Sequence, residues 1–432
     1  MGIKKFLLDD CNIERNSYIW NMAGSLLMAF QSVIMLMIIT RTLGLAEAGI
    51  FTIAYANANL FLTIGKYGMR YFQVSDVKDQ FSFAEYRASR LLTVAAMMAV
   101  SVGYIIYSAM TNSYTMEKTQ VIIWMCLFKM IDALEDIYHG LYQRHNRLDI
   151  ASRAMTLRLI FSTVIFGTGL VILRDLLVAL IAATIAGGMA FVFFTKWTYD
   201  KFKNTEDGAD KTKIFQLLRV CFPLFAGSFL SFYIGNAPKY AIDSMLTDEL
   251  QACYGFIAMP VFVIGLLNNF IFNPMLYQMS VLWNEHKVRM FVVKTVKQTG
   301  IVAVITLVCI SGAYLLGIPV LSWLYNTDLS PYKTELIILL LGGGFLGLSG
   351  LLNAVITIIR YQKSLMWGYA AVALLALLFS DRVVGAYGMM GAAILYTALM
   401  GILCVVFVLL FVIGIYRGKK GRKSGQDTVL RG

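Results

Sequence analysis

The sequence predicts an all-α polytopic membrane protein with twelve transmembrane helices in two six-helix lobes. Three observations predict it. Of 432 residues, 59% are hydrophobic and 14% charged, whereas a soluble domain runs nearer half apolar and a quarter charged. That excess cannot hide in one water-soluble core, whose surface has to stay polar. Second, twelve mostly apolar runs of about 20 residues, the length that crosses a bilayer, follow one another along the chain. Third, with the first residue inside, 28 of the 37 Lys and Arg fall on inner segments and five on outer ones, namely Arg41, Lys118, Arg174, Lys333 and Arg382. That is the bias of cytoplasmic loops, and one missed span would swap the sides of every later loop. An ordinary soluble enzyme, a disordered chain and a secreted disulfide scaffold are thereby excluded. The six cysteines are scattered without metal-ligand or disulfide-framework spacing.

In chain order, residues 1–16 lack the apolar region of a signal peptide and form a cytoplasmic amphipathic lead-in. An N-lobe over 17–195 holds spans at roughly 17–40, 48–67, 91–110, 121–142, 155–173 and 177–195. A charged cytoplasmic linker covers 196–221. A C-lobe over 222–416 holds spans at roughly 222–243, 251–272, 300–323, 336–357, 365–380 and 391–416. A basic cytoplasmic tail, 417–432, and the loop 280–300 suit anionic lipid. The lobes look like a repeat: Gly24-Ser25-Leu26-Leu27 returns as Gly227-Ser228-Phe229-Leu230, and Gly49-Ile50-Phe51 as Gly255-Phe256-Ile257, at offsets of 203 to 206 residues. Six spans per half give both halves one orientation, as in a parallel repeat.

Charges near a bilayer centre cost about 2.5–3.5 kcal/mol each on insertion scales and need a reason. Span four carries Lys129, Asp132, Glu135, Asp136 and His139, which at 100° per residue share an arc of about 120°. Lys129 can pair with Asp132 one turn on. Glu135 and Asp136 then need other partners, such as His139, Arg158 on span five, or water. Either this face lines a hydrated cavity, or the span ends early and its lower residues extend into the cytoplasm. On span two, Thr52, Tyr55, Asn59, Thr63, Lys66 and Arg70 share a face if the helix is continuous, which Gly65 and Gly68 put in question. Lys66 and Arg70 lie near the inner end, where long side chains also reach headgroups. Asn21, Ser25 and Ser32 share a face of span one and suit helix packing. On span seven Lys239 and Asp243 stand one turn apart beyond Pro238, as a mutual ion pair or part of a gate.

All six prolines lie in the second half, with Pro238 and Pro260 deep in spans seven and eight. They produce either a packing kink or a helix broken beside a cavity. Gly342-Gly343-Gly344, Gly347 and Gly350 on span ten read as close packing or a hinge, since no Lys-Ser/Thr follows as in a phosphate loop. No Walker or His-Glu-x-x-His motif occurs. The expectation is therefore no enzyme, no ATP hydrolysis, no cofactor and no metal, and in a membrane protein the net charge of +12 points to inner loops rather than nucleic acid.

Four segments in register resemble one family. Ile39-Thr-Arg41-Thr-Leu43-Gly44 with Gly49 resembles the first external turn of polysaccharide flippases. Asn236-Ala-Pro-Lys-Tyr-Ala-Ile-Asp243, followed by Cys253-Tyr254-Gly255-Phe256, resembles their span seven–eight junction. Gly317-Ile-Pro319 to Leu324-Tyr325 resembles the end of their span nine, and Tyr387-Gly388 with Gly391-Ala392-Ala393 the start of their last span. The chain thus resembles the Wzx-like lipid-linked oligosaccharide flippases of the multidrug/oligosaccharidyl-lipid/polysaccharide exporter superfamily. The resemblance implies two six-span lobes around a central cavity that opens alternately to either side of the plasma (inner) membrane, with both termini cytoplasmic. It implies as cargo an oligosaccharide repeat unit on an undecaprenyl-pyrophosphate-type carrier, and polysaccharide polymerase and glycosyltransferases as partners. Unlike the lipid II branch, this chain has Leu45-Ala46-Glu47-Ala48 where a second arginine is expected, and twelve spans where fourteen are usual. On this reading Lys66, Arg70, Lys129, Arg158 and Lys239, with Asn59 and with Arg41 at the outer mouth, meet the cargo. Asp132, Glu135, Asp136, His139 and Asp243 serve gating or coupling to H+ or Na+. The membrane potential is the other candidate drive. A cation or drug antiporter on the same fold is the main rival; the nearby lysines weigh against it.

Overall fold

The apolar runs become helices because a backbone in hydrocarbon must satisfy its own hydrogen bonds. The computed structural model describes residues 2–9, 11–76, 79–202, 208–359 and 361–429. Lys78, Lys203, Arg360 and Arg431 of the inner charge set lie outside them, as do the side chains of the tail from residue 417 on. The lead-in forms α1 (Gly2–Leu7). Span one is α2 (Ile13–Thr42), span two α3 (Leu45–Lys66) and α4 (Met69–Ser75), and span three α5 (Phe83–Thr111). Then come α6 (Met116–Arg144), α7 (Leu148–Leu173), α8 (Leu176–Tyr199), α9 (Lys211–Met245) and α10 (Asp248–Asn284). Span nine is α11 (Val288–Gly312), a π-helical turn at Ala313–Gly317 and α12 (Ile318–Tyr325); span ten is α13 (Lys333–Ile358). Spans eleven and twelve share α14 (Gln362–Val429), whose helical dihedrals fail at Gly388, with φ 55° and ψ −134°.

Ten of the twelve predicted spans lie inside a single helix, while span two runs one residue past α3 and span nine crosses the π turn from α11 into α12; most of the helices run several residues further. The extra turns are polar and capped, so counting apolar residues misses them. Span three shows this. Ser82 and Glu85 form a reciprocal capping box, with Ser82 N donating to Glu85 Oε2 at 2.7 Å and Glu85 N to Ser82 Oγ at 3.3 Å. The helix therefore begins two turns before residue 91 and carries Arg87 and Arg90 with it. Thr115 and Asp175 cap α6 and α8 singly, accepting from Lys118 N and Val178 N. Nine stretches among the described residues are long and apolar enough to cross a membrane by hydropathy. Helices α6, which is rich in charge, and α10 are not among them, and α14 counts as one stretch of 53 residues.

Pro238 and Pro260 leave α9 and α10 continuous helices, so the broken-helix reading is corrected at both; a proline removes one helical hydrogen bond, and the flanking turns carry the helix through. The interruptions lie elsewhere. Tyr67 (φ 49°) and Gly68 (φ 66°) separate α3 from α4, so the polar stripe of span two is not one continuous helical face. The π turn precedes Pro319, where the ring would clash with the carbonyl four residues back in an α-helix.

Compact units comprise residues 1–232 and 233–432. The division falls inside α9 rather than in the stretch 196–221, of which 196–199 belong to α8 and 211–221 to α9. In the first unit the start of α9 packs on α4–α6: Leu217 and Cys221 share a buried cluster with Met69, Phe81, Tyr86 and Ile137. Gly24 lets α2 approach α7, since a Cβ there would lie 2.6 Å from Met155. The lead-in is docked, with Leu7 buried and Arg153 Nη1 donating to Phe6 O at 2.7 Å. In the second unit the span-ten glycines serve close packing. A Cβ on Gly342 would meet Tyr396 of α14, one on Gly343 Val261 of α10, and one on Gly344 Thr306 of α11.

Candidate functional site

Inside the first unit α2, α3, α4, α6 and α7 enclose a cavity of about 140 Å³. Asn21, Ser25, Lys66, Arg70, Asp132, Glu135, Asp136, His139 and Ser152 supply its polar lining. It lies toward the helix ends that the charge bias assigns to the inside: the first half of α2, the end of α3 and the last third of α6. The face of α6 remains helical to Arg144, and its ionic residues are buried. The polar face of span four thus lines a cavity instead of forming an extension beyond an early helix end.

The pairing within this face follows from helical spacing. Lys129 Nζ donates to Asp132 Oδ2 at 3.1 Å, one turn away, and sits 4.7 Å over the Tyr55 ring of α3. Arg158 of α7, with no exposed surface, bridges two acids: Nη2 donates to Asp132 Oδ1 at 2.6 Å and to Glu135 Oε2 at 2.8 Å, and Nε to Glu135 Oε2 at 3.1 Å. His139 Nε2 lies 3.8 Å from Glu135 Oε1. Charged groups leave water only when paired and hydrogen-bonded; each of these charges has an opposite partner, while Arg158 Nη1 and His139 Nε2 are buried without a hydrogen bond.

Asp136 is held by a residue that the sequence places with the inner loop. Arg90 of α5, 1% exposed, donates from Nη2 to Asp136 Oδ2 at 2.8 Å and from Nη1 to the carbonyl of Gly65. The capping box Ser82–Glu85 was the signal for it, because a helix starting at residue 83 puts Arg90 two turns inside. Arg70 Nη1 stands 3.8 Å from Asp136 Oδ1, and its Nη2 donates to Gln143 Oε1 at 3.0 Å. Lys66 lines the cavity and makes no ion pair among the described residues.

Five cations (Lys66, Arg70, Arg90, Lys129, Arg158) therefore face three carboxylates (Asp132, Glu135, Asp136), a formal excess of two positive charges. The acids neutralise Lys129, Arg158 and Arg90 from the cavity side. Lys66 and Arg70 line the cavity itself, Arg70 with Asp136 3.8 Å away, so the wall as a whole carries net positive charge. Among the described residues no group of three or more His, Cys, Asp or Glu has the geometry of a metal site.

The other predicted residues are not among those that line this space. Asn59 donates to the carbonyl of Tyr55 on its own helix at 2.8 Å. Arg41 is exposed in the last turn of α2, about 24 Å along the helix from Ser25 at 1.5 Å per residue. Lys239 and Asp243 lie on the carboxyl-terminal part of α9 in the second unit. Lys239 is half-buried there.

The fold is shared with solved transporters at low identity. An inward-facing multidrug resistance MATE family transporter of the MOP superfamily superposes with a TM-score of 0.70 at 14% identity, covering 91% of this chain and 96% of that one. The lipid II flippase MurJ in an inward closed conformation gives 0.69 at 13%, covering 93% and 90%. A MOP superfamily transporter from Pyrococcus furiosus gives 0.60 at 15%, covering 97% and 98%. The apolar helices of spanning length among the described residues, with this shared fold, define a multi-pass helical membrane protein. The chain belongs to the family described as polysaccharide biosynthesis protein, which matches residues 15–280. Along 378 residues it is 22% identical to the capsular polysaccharide biosynthesis protein CapF of Staphylococcus aureus, covering 87% of this chain and 93% of that one.

Proposed function

We propose that the protein is a flippase that exports oligosaccharide repeat units on an undecaprenyl-pyrophosphate-type carrier for a capsule-like surface polysaccharide. The observation that carries this reading is the cavity's excess of positive charge at Lys66 and Arg70, behind which Lys129, Arg158 and Arg90 are already matched by carboxylates. A pyrophosphate is the anionic part of such a cargo. Asn21, Ser25 and Ser152 offer hydrogen bonds suited to sugar hydroxyls. The isoprenoid tail stays in the bilayer while the head crosses by alternating exposure of the cavity, without ATP hydrolysis. The protein sits in the plasma (inner) membrane with both termini inside. Glycosyltransferases supply its cargo and a polymerase consumes it.

The antiporter reading draws on Asp132, Glu135 and Asp136 in the cavity wall. Each of these acids already faces a guanidinium or ammonium group, which leaves little negative charge for a cationic drug. The experiment is flipping of a fluorescent polyprenyl-pyrophosphate-linked disaccharide in proteoliposomes. Loss of the Lys66 contact is expected to slow it roughly tenfold or more, the value of one charge-assisted hydrogen bond. Efflux of a cationic dye with no movement of the lipid-linked sugar would favour the antiporter.

A further inference from the structure

We infer that Arg90 is a positioning residue for the cavity: it fixes the elbow between α3 and α4 so that Lys66 and Arg70 face the same space. The inference rests on the reading of those two side chains as the cargo-facing cations. Helix α3 ends at Lys66, and Tyr67 and Gly68 take positive φ before α4 begins at Met69. A helix end leaves carbonyls of its last turn without helical donors, which is costly at membrane depth. The Gly65 carbonyl lies in that last turn. It accepts from Arg90 Nη1 and from Thr93 Oγ1, the latter at 2.9 Å. The second terminal nitrogen of Arg90 donates to Asp136 Oδ2 at 2.8 Å, and the other oxygen of Asp136 lies 3.8 Å from Arg70 Nη1. One planar guanidinium thus grips the end of α3, the acid on α6 and, through that acid, the cation on α4.

The far side of the elbow is closed. A Cβ on Gly68 would lie 2.7 Å from Leu224 of α9, and Tyr67 stacks on Phe225 with ring centroids 4.6 Å apart. The elbow therefore cannot swing away from Arg90 toward α9. Lysine cannot replace the fork, because a single ammonium on a flexible stem does not reproduce a rigid set of diverging donors. Arg90 stands behind Asp136, so its influence on cargo passes through Lys66 and Arg70.

The test uses the full-length protein purified in detergent. The acylation rate of Lys66 by an N-hydroxysuccinimide acetate reagent is compared with that of exposed Lys4 by peptide mass spectrometry. In Arg90→Gln the ratio is expected to shift by roughly threefold or more, the lower range for residues in one network. Arg90→Lys, which keeps a buried cation, should fall between it and the wild type. Thr93→Val removes the other donor to Gly65 and should shift the ratio in the same direction by less; it keeps the test decisive should Arg90→Gln not fold. Flipping of the fluorescent polyprenyl-pyrophosphate-linked disaccharide should fall in the order Arg, Lys, Gln at position 90. An unchanged Lys66 ratio in all three variants overturns the inference. A shifted ratio in a wild-type background that moves no disaccharide leaves the positioning role standing and removes the cargo reading instead.

Discussion

Two lysines of the same cavity region have opposite surroundings. Lys129 is 2% exposed, bonded to Asp132 and stacked over Tyr55, whereas Lys66 lines the cavity with no ion pair among the described residues. Their substitutions should separate accordingly. Lys66→Ala is expected to reduce sugar-lipid flipping with no loss of thermal stability, since no partner is stranded. Arg158→Ala removes the bridge between Asp132 and Glu135 and leaves buried charge uncompensated, a loss of about 3–5 kcal/mol. A thermal melt of the two purified variants in detergent checks both. Equal destabilisation would mean that Lys66 has a structural partner after all.

Helix packing around the site depends on two glycines that no periodicity marks. Gly140 of α6 lies against the Gln73 amide of α4, where a Cβ would overlap it. Gly140→Ala should therefore push α4 outward and lower the melting temperature, and adding Gln73→Ala should restore most of the loss, as coupled neighbours do. Gly68→Ala adds a backbone cost of about 1–2 kcal/mol for a left-handed residue, beyond the contact with Leu224. The sequence reveals the α6 face fully, because charges at helical spacing stand out in an apolar run. It reveals Lys129–Asp132 and offers Arg158 as a partner for Glu135. It hides Arg90, because an arginine near an inner helix end counts equally as loop charge, and only the Ser82–Glu85 cap moves the boundary. Gly65 and Gly68 already put the continuity of span two in question, and the elbow falls at Tyr67–Gly68, whereas the more conspicuous breakers Pro238 and Pro260 interrupt neither of their helices.

For the whole molecule, the sequence discloses helices of spanning length because the bilayer enforces both their length and the charge of the loops. The starts of α3 and α10, Leu45 and Asp248, keep the 203-residue offset seen between the glycine motifs. Of the elements around the cavity the sequence marks α6 by its polar face, whereas the approach of α2 and α7 to it depends on tertiary packing. The orientation given by the inner charges has an energetic consequence for an anionic cargo. With the inside negative, each negative charge moved outward gains about 2.3 kcal/mol per 100 mV, so a diphosphate carrying two gains about 4.6 kcal/mol at that potential. Outward transfer of the lipid-linked disaccharide in proteoliposomes should therefore quicken when a potassium diffusion potential is imposed negative on the side facing the termini. It should slow when valinomycin with equal potassium collapses that potential, and it should run backward when the sign is reversed. If Asp132, Glu135 and Asp136 instead couple transport to H+ or Na+, the rate will follow an imposed gradient of that ion at zero potential. Insensitivity of the initial rate to the imposed potential would exclude the electrical drive.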